Sequence, residues 1–189
     1  FRNLAVYGQI PIRHTSPEFG DDKAGFGDIV IGAELVPWQD IFNYPYILPY
    51  AEISFPSGDE DDGLGSGTTS ATLGVCIGTT VMDIFHYALD VSYTFNTLSR
   101  NVPHGTDKTG YATAALSLIW DLSKAFSLRA EAKVTSEKGT EEDDDLPPMY
   151  FIGGMSYRPV ESLMFTVYGG GAVSAREEVI GGIKAVFSF

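Results

Sequence analysis

The sequence predicts an all-β protein, a single antiparallel transmembrane β-barrel of about ten strands. Three observations support this prediction. The 189-residue chain is rich in glycine (21), tyrosine (10) and phenylalanine (12), a composition typical of β-proteins. It divides into about ten extended runs, most of roughly 9 to 14 residues, which is about the length of a tilted membrane-spanning strand. Long and short connections alternate between the runs, as they do in outer-membrane barrels.

The predicted strands follow one another with turn-forming residues between them. They are placed at residues 3–13, 26–36, 46–55, 68–81, 85–97, 108–121, 126–135, 148–158, 162–173 and 178–189. Long loops rich in glycine, proline and aspartate are expected at 14–25, 56–67, 98–107 and 136–147. The other connections are shorter. An even strand number places both chain ends on the short-turn, periplasmic side, and the whole chain, residues 1–189, is expected to form one barrel domain.

The run at residues 85–97 alternates between apolar and polar side chains. Its apolar positions are Phe85, Tyr87, Leu89, Val91, Tyr93 and Phe95, and the intervening positions are His86, Ala88, Asp90, Ser92, Thr94 and Asn96. Aromatic rings stand at both ends of the apolar face, with aliphatic side chains between them. Because aromatic rings favour the two membrane interfaces, this order predicts a lipid-facing surface. Residues 126–135 alternate in the same way.

Alternation is also compatible with a soluble barrel whose apolar side chains fill the interior. Ten long strands, however, would enclose more space than ordinary core side chains fill. The aromatic residues cluster at strand ends, and the last run, "GGIKAVFSF" at residues 181–189, finishes on the apolar parity with Phe189. These features favour the membrane barrel.

Composition excludes several classes of function. A formal net charge of −13 argues against a nucleic-acid-binding protein, which carries basic patches. Cys76 is the single cysteine, so the chain has no internal disulfide and no cysteine-based metal site. His14 and His104 fall in predicted outer loops near aspartates, but nothing in the sequence brings these groups together, and His86 lies at the opposite end. We therefore expect no catalytic residues and no enzyme activity.

Two acidic runs, "GDEDDG" at residues 58–63 and "EEDDD" at 141–145, lie in predicted outer loops. Their simplest interpretation is a set of solvated carboxylates. The alternative is loose binding of divalent cations, which prefer carboxylate oxygens. That alternative involves Asp59, Asp61, Asp62, Asp143, Asp144 and Asp145. The spacing does not fit an EF-hand loop, so we expect no defined metal site and no cofactor.

Several stretches of the chain resemble the outer-membrane transporter family associated with the meta-cleavage pathway of phenol degradation. "GFGDIVIGAEL" (25–35) is similar to that family's Gly-Leu-Gly-Asp strand opening, and "ISFPSGDEDDGLGSGTTSATLGV" (53–75) to its Pro-Thr-Gly-Asp strand end and glycine-rich loop. "ALDVSYTFN" (88–96), "MSYRPVESLMFTVYGG" (155–170) and the last strand continue the likeness. Ser57 stands where the family usually has threonine.

The resemblance implies a barrel in the Gram-negative outer membrane that takes up hydrophobic or aromatic compounds. It also implies further strands before the point where this chain starts, so the alternative to ten strands is a twelve-stranded barrel with a leading hairpin. The last strand resembles the recognition signal of the outer-membrane assembly machinery, carried by Ile183, Ala185, Phe187 and Phe189.

Functional residues are expected on the polar parity, which faces the lumen. The predicted lining is Gln9, Asp28, Glu34, Glu52, His86, Asp90, Asn96, Arg129, Glu131, Lys133 and Lys184. Tyr7, Tyr50, Tyr111 and Tyr168 either block the lumen or line it, depending on their direction. Two functions stay open. One is a passive channel for small hydrophobic or aromatic solutes. The other is a plugged structural barrel whose acidic outer loops bind a partner, lipopolysaccharide or a surface.

Overall fold

The computed structural model of the protein describes residues 4–15, 22–35, 46–60, 62–97, 110–136, 148–173 and 178–188. Eleven strands lie in these ranges. They are β1 (Leu4–Thr15), β2 (Lys23–Phe26), β3 (Ile29–Leu35), β4 (Tyr46–Phe55), β5 (Thr69–Val81), β6 (Phe85–Thr97), β7 (Gly110–Asp121), β8 (Phe126–Thr135), β9 (Met149–Val160), β10 (Leu163–Ala172) and β11 (Glu178–Ser188). Within the same ranges, no helix is long and apolar enough to cross a bilayer.

The strands form one antiparallel sheet that closes on itself. From β3 to β11 each strand pairs with the next, β3 pairs with β1, and β11 returns to β1. The closing register sets Tyr7 opposite Val186 and Gln9 opposite Lys184. Ten of the strands described here make the closed wall, which confirms the predicted fold class. Within the described residues, β1 pairs directly with β11, with no further hairpin between them.

The predicted strand at 26–36 is in fact two strands, β2 and β3, on the same side of β1. Phe26 pairs with Ile12 and Val30 pairs with Gln9, so three residues of this segment oppose two of β1. This is a β-bulge, which adds one residue to a strand and bends it. Gly27 stays tied to β1, because its N–H donates to the Pro11 carbonyl at 2.9 Å.

The outer face of the barrel is apolar from end to end. Leu73, Leu116 and Val167 in the strand interiors expose 57%, 61% and 57% of their surface. At the short-turn end, outward-facing rings pack in pairs, with Phe85 on Trp120 at 5.8 Å and Phe126 on Tyr157 at 4.8 Å between centroids. Tyr93 and Phe95 pack near the opposite rim, 4.7 Å apart. An aliphatic belt between two aromatic girdles is the surface that a bilayer selects.

The interior contains little tightly packed core. Ala5, Tyr7 and Val186 form one small buried cluster on β1 and β11, with Met164 packed against it. No side chain in the described part of the barrel is less than 2% exposed. The apolar surface that a soluble domain would bury therefore faces outward here.

A charge in the middle of this belt should be costly, whereas the same charge near the rim should not. We expect Leu89→Arg, on β6, to lower the free energy of unfolding by about 2–4 kcal/mol in lipid vesicles, and Val81→Arg, at the periplasmic end of β5, by about 0–1 kcal/mol. Urea titration followed by tryptophan fluorescence measures both values. Equal small costs at the two positions would show that this face does not contact hydrocarbon.

Candidate functional site

All the residues predicted to line the lumen lie on the inward side of the wall. The inward positions of the strands hold Gln9 (β1), Glu34 (β3), Glu52 (β4), His86, Asp90 and Asn96 (β6), Arg129, Glu131 and Lys133 (β8) and Lys184 (β11). Asp28 lies in the bulge between β2 and β3. Every strand that carries one of them presents most of its large apolar residues on the other parity, so the polar set shares one enclosed space.

Three tyrosines that the sequence left without a direction lie flat against the inside of this wall. Tyr7 on β1 faces Gly32 on β3, and a Cβ at Gly32 would overlap the Tyr7 ring. The ring therefore crosses β3 over Gly32, which has no side chain in its way. Its hydroxyl then donates to Glu52 Oε1 on β4, at 2.7 Å. We call this arrangement a tyrosine bridge: a tyrosine, a glycine on the next strand and a polar partner on the strand beyond.

The tyrosine bridge occurs twice more around the described wall. Tyr50 on β4 lies over Gly74 on β5, and its hydroxyl donates to Asp90 Oδ1 on β6 at 2.9 Å. Tyr168 on β10 lies over Gly182 on β11, and its hydroxyl accepts from Gln9 Nε2 on β1 at 2.6 Å. Tyr46 covers Gly78 in the same way. Each ring fills the gap above a glycine, a packing device that stabilises glycine in a sheet.

Charged side chains at the depth of the bridges make further contacts along the wall. Arg129 Nη2 donates to Glu131 Oε2 at 2.7 Å, and the Ser117 hydroxyl donates to the same oxygen at 3.1 Å. The Lys184 ammonium lies 3.6 Å from the centroid of the Tyr7 ring, a cation–π contact. The Lys133 ammonium lies farther from its aromatic partner, 5.5 Å from the centroid of the Tyr150 ring.

The periplasmic end of the lumen has a separate polar group. His86 on β6 joins its two neighbouring strands, because its Nδ1 lies 2.9 Å from the Thr80 hydroxyl and its Nε2 lies 3.0 Å from Asp121 Oδ2. Beside Asp121 is a cavity of about 400 Å³ that opens at this end of the barrel. Its polar lining includes Lys124 and Arg158.

The outer end is narrowed by the loop that follows β4. The Asp28 carboxylate accepts hydrogen bonds from Gly58 N–H (3.0 Å), Ser66 N–H (2.7 Å) and the Ser66 hydroxyl (2.6 Å). Leu64, at the tip, is 5% exposed and touches the inward side of Gly25. Asp28 therefore lines the inner wall and also anchors the loop after β4 in the outer mouth.

The acidic runs are only partly within the described residues. Lys23 Nζ lies 3.2 Å from Asp62 Oδ1, and the Asp62 N–H donates to Asp59 Oδ1 at 3.3 Å. Asp61 and the carboxylates of residues 143–145 lie outside the described residues. In the part of the chain that is described, no three His, Cys, Asp or Glu side chains come close enough to share a metal ion.

The last strand presents its apolar parity to the lipid. Ile183 and Phe187 are 50% and 51% exposed on the outer face, and Ala185 lies between them. Phe189, the fourth residue of the predicted assembly signal, lies outside the described residues.

The tyrosine bridges were the feature that sequence analysis missed. A signal for them does exist: an inward-parity tyrosine that pairs directly with a glycine on the neighbouring strand. This signal can be read only when the register between the strands is known. If one strand shifted by a single residue, a residue other than glycine would lie opposite the ring.

Comparison with known proteins supports the fold. The family model described as "Putative MetA-pathway of phenol degradation" matches residues 2–183. Among solved structures, the COG4313 outer membrane channel from Pseudomonas putida F1 superposes with a TM-score of 0.66 at 12% identity, covering 100% of this chain and 97% of that chain. Among curated proteins, none matches the sequence significantly.

Two porins also share the fold. The KdgM porin in complex with disordered oligogalacturonate superposes with a TM-score of 0.57 at 12% identity, covering 98% of this chain and 99% of that chain. The NanC porin superposes with a TM-score of 0.57 at 9% identity, covering 98% of this chain and 100% of the porin chain. With the apolar belt and the aromatic girdles, this shared fold places the protein in the bacterial outer membrane.

Adding a methyl group under a bridging ring should push the ring off the wall. We expect Gly74→Ala to lower the free energy of unfolding by about 1–3 kcal/mol, because the Tyr50 ring occupies the space of the new Cβ. Gly8→Ala is the matched control, since nothing lies within 4 Å of its Cβ position. It should change stability by no more than about 0.5 kcal/mol. Equal effects of the two substitutions in urea titration would contradict the bridge.

Removing the Asp28 carboxylate should free the loop at the outer mouth. We expect Asp28→Ala to speed cleavage after Glu60 by a Glu-specific protease at least about tenfold, because three hydrogen bonds to the loop are lost. Asp22→Ala, at an exposed position just before β2, is the control and should be cleaved at the rate of the unsubstituted protein. An unchanged cleavage rate in Asp28→Ala would show that Asp28 does not hold the loop.

Proposed function

The chain belongs to this phenol-degradation family, and from that premise we propose that it is a passive outer-membrane channel for small, hydrophobic or aromatic solutes. The observation that carries the proposal is the direction of the bridging tyrosines. Tyr7, Tyr50 and Tyr168 are large enough to plug a narrow barrel, yet each lies along the wall over a glycine. Lumen side chains are mostly part-exposed, which supports a path that small solutes can enter.

The wall chemistry supports a small solute with an aromatic or otherwise apolar body. A tyrosine ring offers a flat face to another ring, and aromatic pairs prefer stacked or edge-to-face contact. The hydroxyls of Tyr7 and Tyr50 are already bonded to Glu52 and Asp90. A passing molecule therefore does not have to replace water on these groups. Transport of this kind needs no nucleotide and no covalent step, and we propose no enzyme activity.

A second candidate function rests on the loop at the outer mouth. Leu64 is seated inside the opening, and the same loop presents Asp59, Glu60 and Asp62. This favours a structural barrel closed at its outer end, whose acidic loops bind a partner protein or lipopolysaccharide, the latter through divalent cations. Under either function, we propose that the outward parity of β11, with Ile183, Ala185 and Phe187, is read by the assembly machinery.

Uptake into liposomes separates the two functions. We expect the refolded protein to speed entry of phenol-like and alkylbenzene solutes over protein-free liposomes, and to speed entry of small sugars much less. Ala115→Trp, on the inward parity of β7, should abolish the acceleration because the new ring enters the lumen. Ala114→Trp, on the outward parity, should leave it unchanged. Folding of both variants is checked by heat-dependent migration on gels.

The result decides between the candidates. If no solute enters faster than through bare lipid, the barrel is closed and the structural candidate replaces the channel. If sugars and aromatics enter equally fast, the protein is an open channel without the proposed solute preference.

A further inference from the structure

The mid-depth of the lumen carries six charged side chains, which we call the charged ring: Glu34, Glu52, Asp90, Arg129, Glu131 and Lys184. They come from five strands on different sides of the barrel. Lys184 interacts electrostatically with Glu34, Glu52, Glu131 and Arg129, and Asp90 interacts with Glu52, Glu131 and Arg129. The six charges therefore act on the same short stretch of the path.

The contacts within the ring leave its negative charge unbalanced. Arg129 and Glu131 form an ion pair at 2.7 Å, so their charges offset each other. Glu52 and Asp90 are each bonded to a tyrosine hydroxyl, which is neutral and leaves the carboxylate charge in place. Lys184 rests on the Tyr7 ring and, among the described residues, forms no ion pair within 4.0 Å. One free cation thus faces three carboxylates without a cationic partner, those of Glu34, Glu52 and Asp90.

The ring differs in this respect from the two ends of the lumen. Towards the outer end, Arg13 and Lys133 accompany Asp28 on the inward parity. Towards the periplasmic end, Arg158 lies in the same cavity as Asp121. On the described inner wall, the acids at both ends therefore have cations near them, whereas the charged ring has one free cation for three carboxylates. The further acids Asp59, Glu60 and Asp62 belong to the loop at the outer mouth.

From this arrangement we propose that the charged ring is a charge filter, which admits neutral solutes and cations and rejects anions. The inference rests on the proposed channel function and sharpens its solute class. Aromatic or apolar molecules pass in an uncharged form, such as phenols and hydrocarbons, whereas carboxylated aromatics are excluded. In a narrow path with low-dielectric walls, a net negative charge raises the local concentration of cations and lowers that of anions.

Cys76 provides a native reporter for this filter. It lies on the inward parity of β5, directly opposite Asp90 on β6, and it interacts electrostatically with Asp90, Glu34, Glu131 and Arg129. Because it is the single cysteine of the chain, a thiol reagent added to the folded protein reports on the lumen at the depth of Cys76 alone.

The test compares two methanethiosulfonate reagents of similar size, one bearing a trimethylammonium group and the other a sulfonate group. Each rate at Cys76 is divided by the rate of the same reagent with a small free thiol. We expect the normalised rate of the cationic reagent to be at least about tenfold higher than that of the anionic one at low salt, and the ratio to fall at high salt. In the double variant Glu52→Gln with Asp90→Asn, the ratio of the two normalised rates should fall to a value between about 1 and about 3.

The control removes a carboxylate outside the ring. Asp83 lies in the periplasmic turn between β5 and β6 with a φ of 59°, a conformation that asparagine tolerates. Asp83→Asn should keep the full ratio. If the double variant does not fold, Glu34→Gln replaces it, because the Glu34 carboxylate forms no side-chain hydrogen bond within the described ranges. It should lower the ratio at least about twofold.

The outcomes distinguish this inference from the channel proposal. Equal normalised rates for the two reagents would overturn the charge filter and leave the channel standing. If neither reagent reacts with the folded protein although both react after unfolding, the lumen is closed at Cys76, and the channel and its filter both fail. A high ratio that the double variant retains would also overturn the assignment, because the selectivity would then arise elsewhere.

Discussion

The hydrogen bonds between β1 and β11 are the constraint on which the rest of the structure depends. In hydrocarbon, an unpaired backbone N–H or C=O has no water to bond, so a sheet with an open edge is not stable there. Pairing from Ala5 with Ser188 to Thr15 with Glu178 removes both edges at once. The same pairing fixes the register around the barrel, and the register decides which parity of each strand meets lipid. The apolar belt and the polar lumen are therefore consequences of one closure.

Closure of a barrel this small creates a second problem, because side chains on the inner wall compete for a narrow space. The tyrosine bridges resolve it by placing bulk along the wall. A ring that lies over a glycine adds contact area to two strands, and its hydroxyl ties a third, as Tyr7 does with Gly32 and Glu52. Stability in such a barrel then comes from the wall and from contacts between neighbouring strands, which is consistent with the absence of a fully buried side chain among the described residues.

Much of the fold could be read from the sequence because the signals are local. The alternation of Phe85 to Phe95 with polar residues sets both the length and the orientation of β6 without any knowledge of its neighbours. The break at Gly27 and Asp28 could not be read in this way. Its cause is the loop at 56–68, about 30 residues away, which uses the Asp28 carboxylate for three hydrogen bonds. The direction of Tyr50 likewise depends on Gly74, a residue on another strand. The inward parity was thus predictable, whereas the contacts within the lumen required the register.

The bridges and the charged ring are linked by the residues that they share. Glu52 and Asp90 end two of the bridges and supply two of the unpaired charges of the ring, and Tyr7 begins a bridge while its face holds Lys184. A neutral hydroxyl can orient a carboxylate without cancelling its charge. A lysine or arginine in the same place would orient the carboxylate and also cancel its charge. Because tyrosines hold these acids, the wall is ordered and the path remains negative. The same tyrosines that lie along the wall therefore leave in place the negative charge on which the proposed charge filter depends.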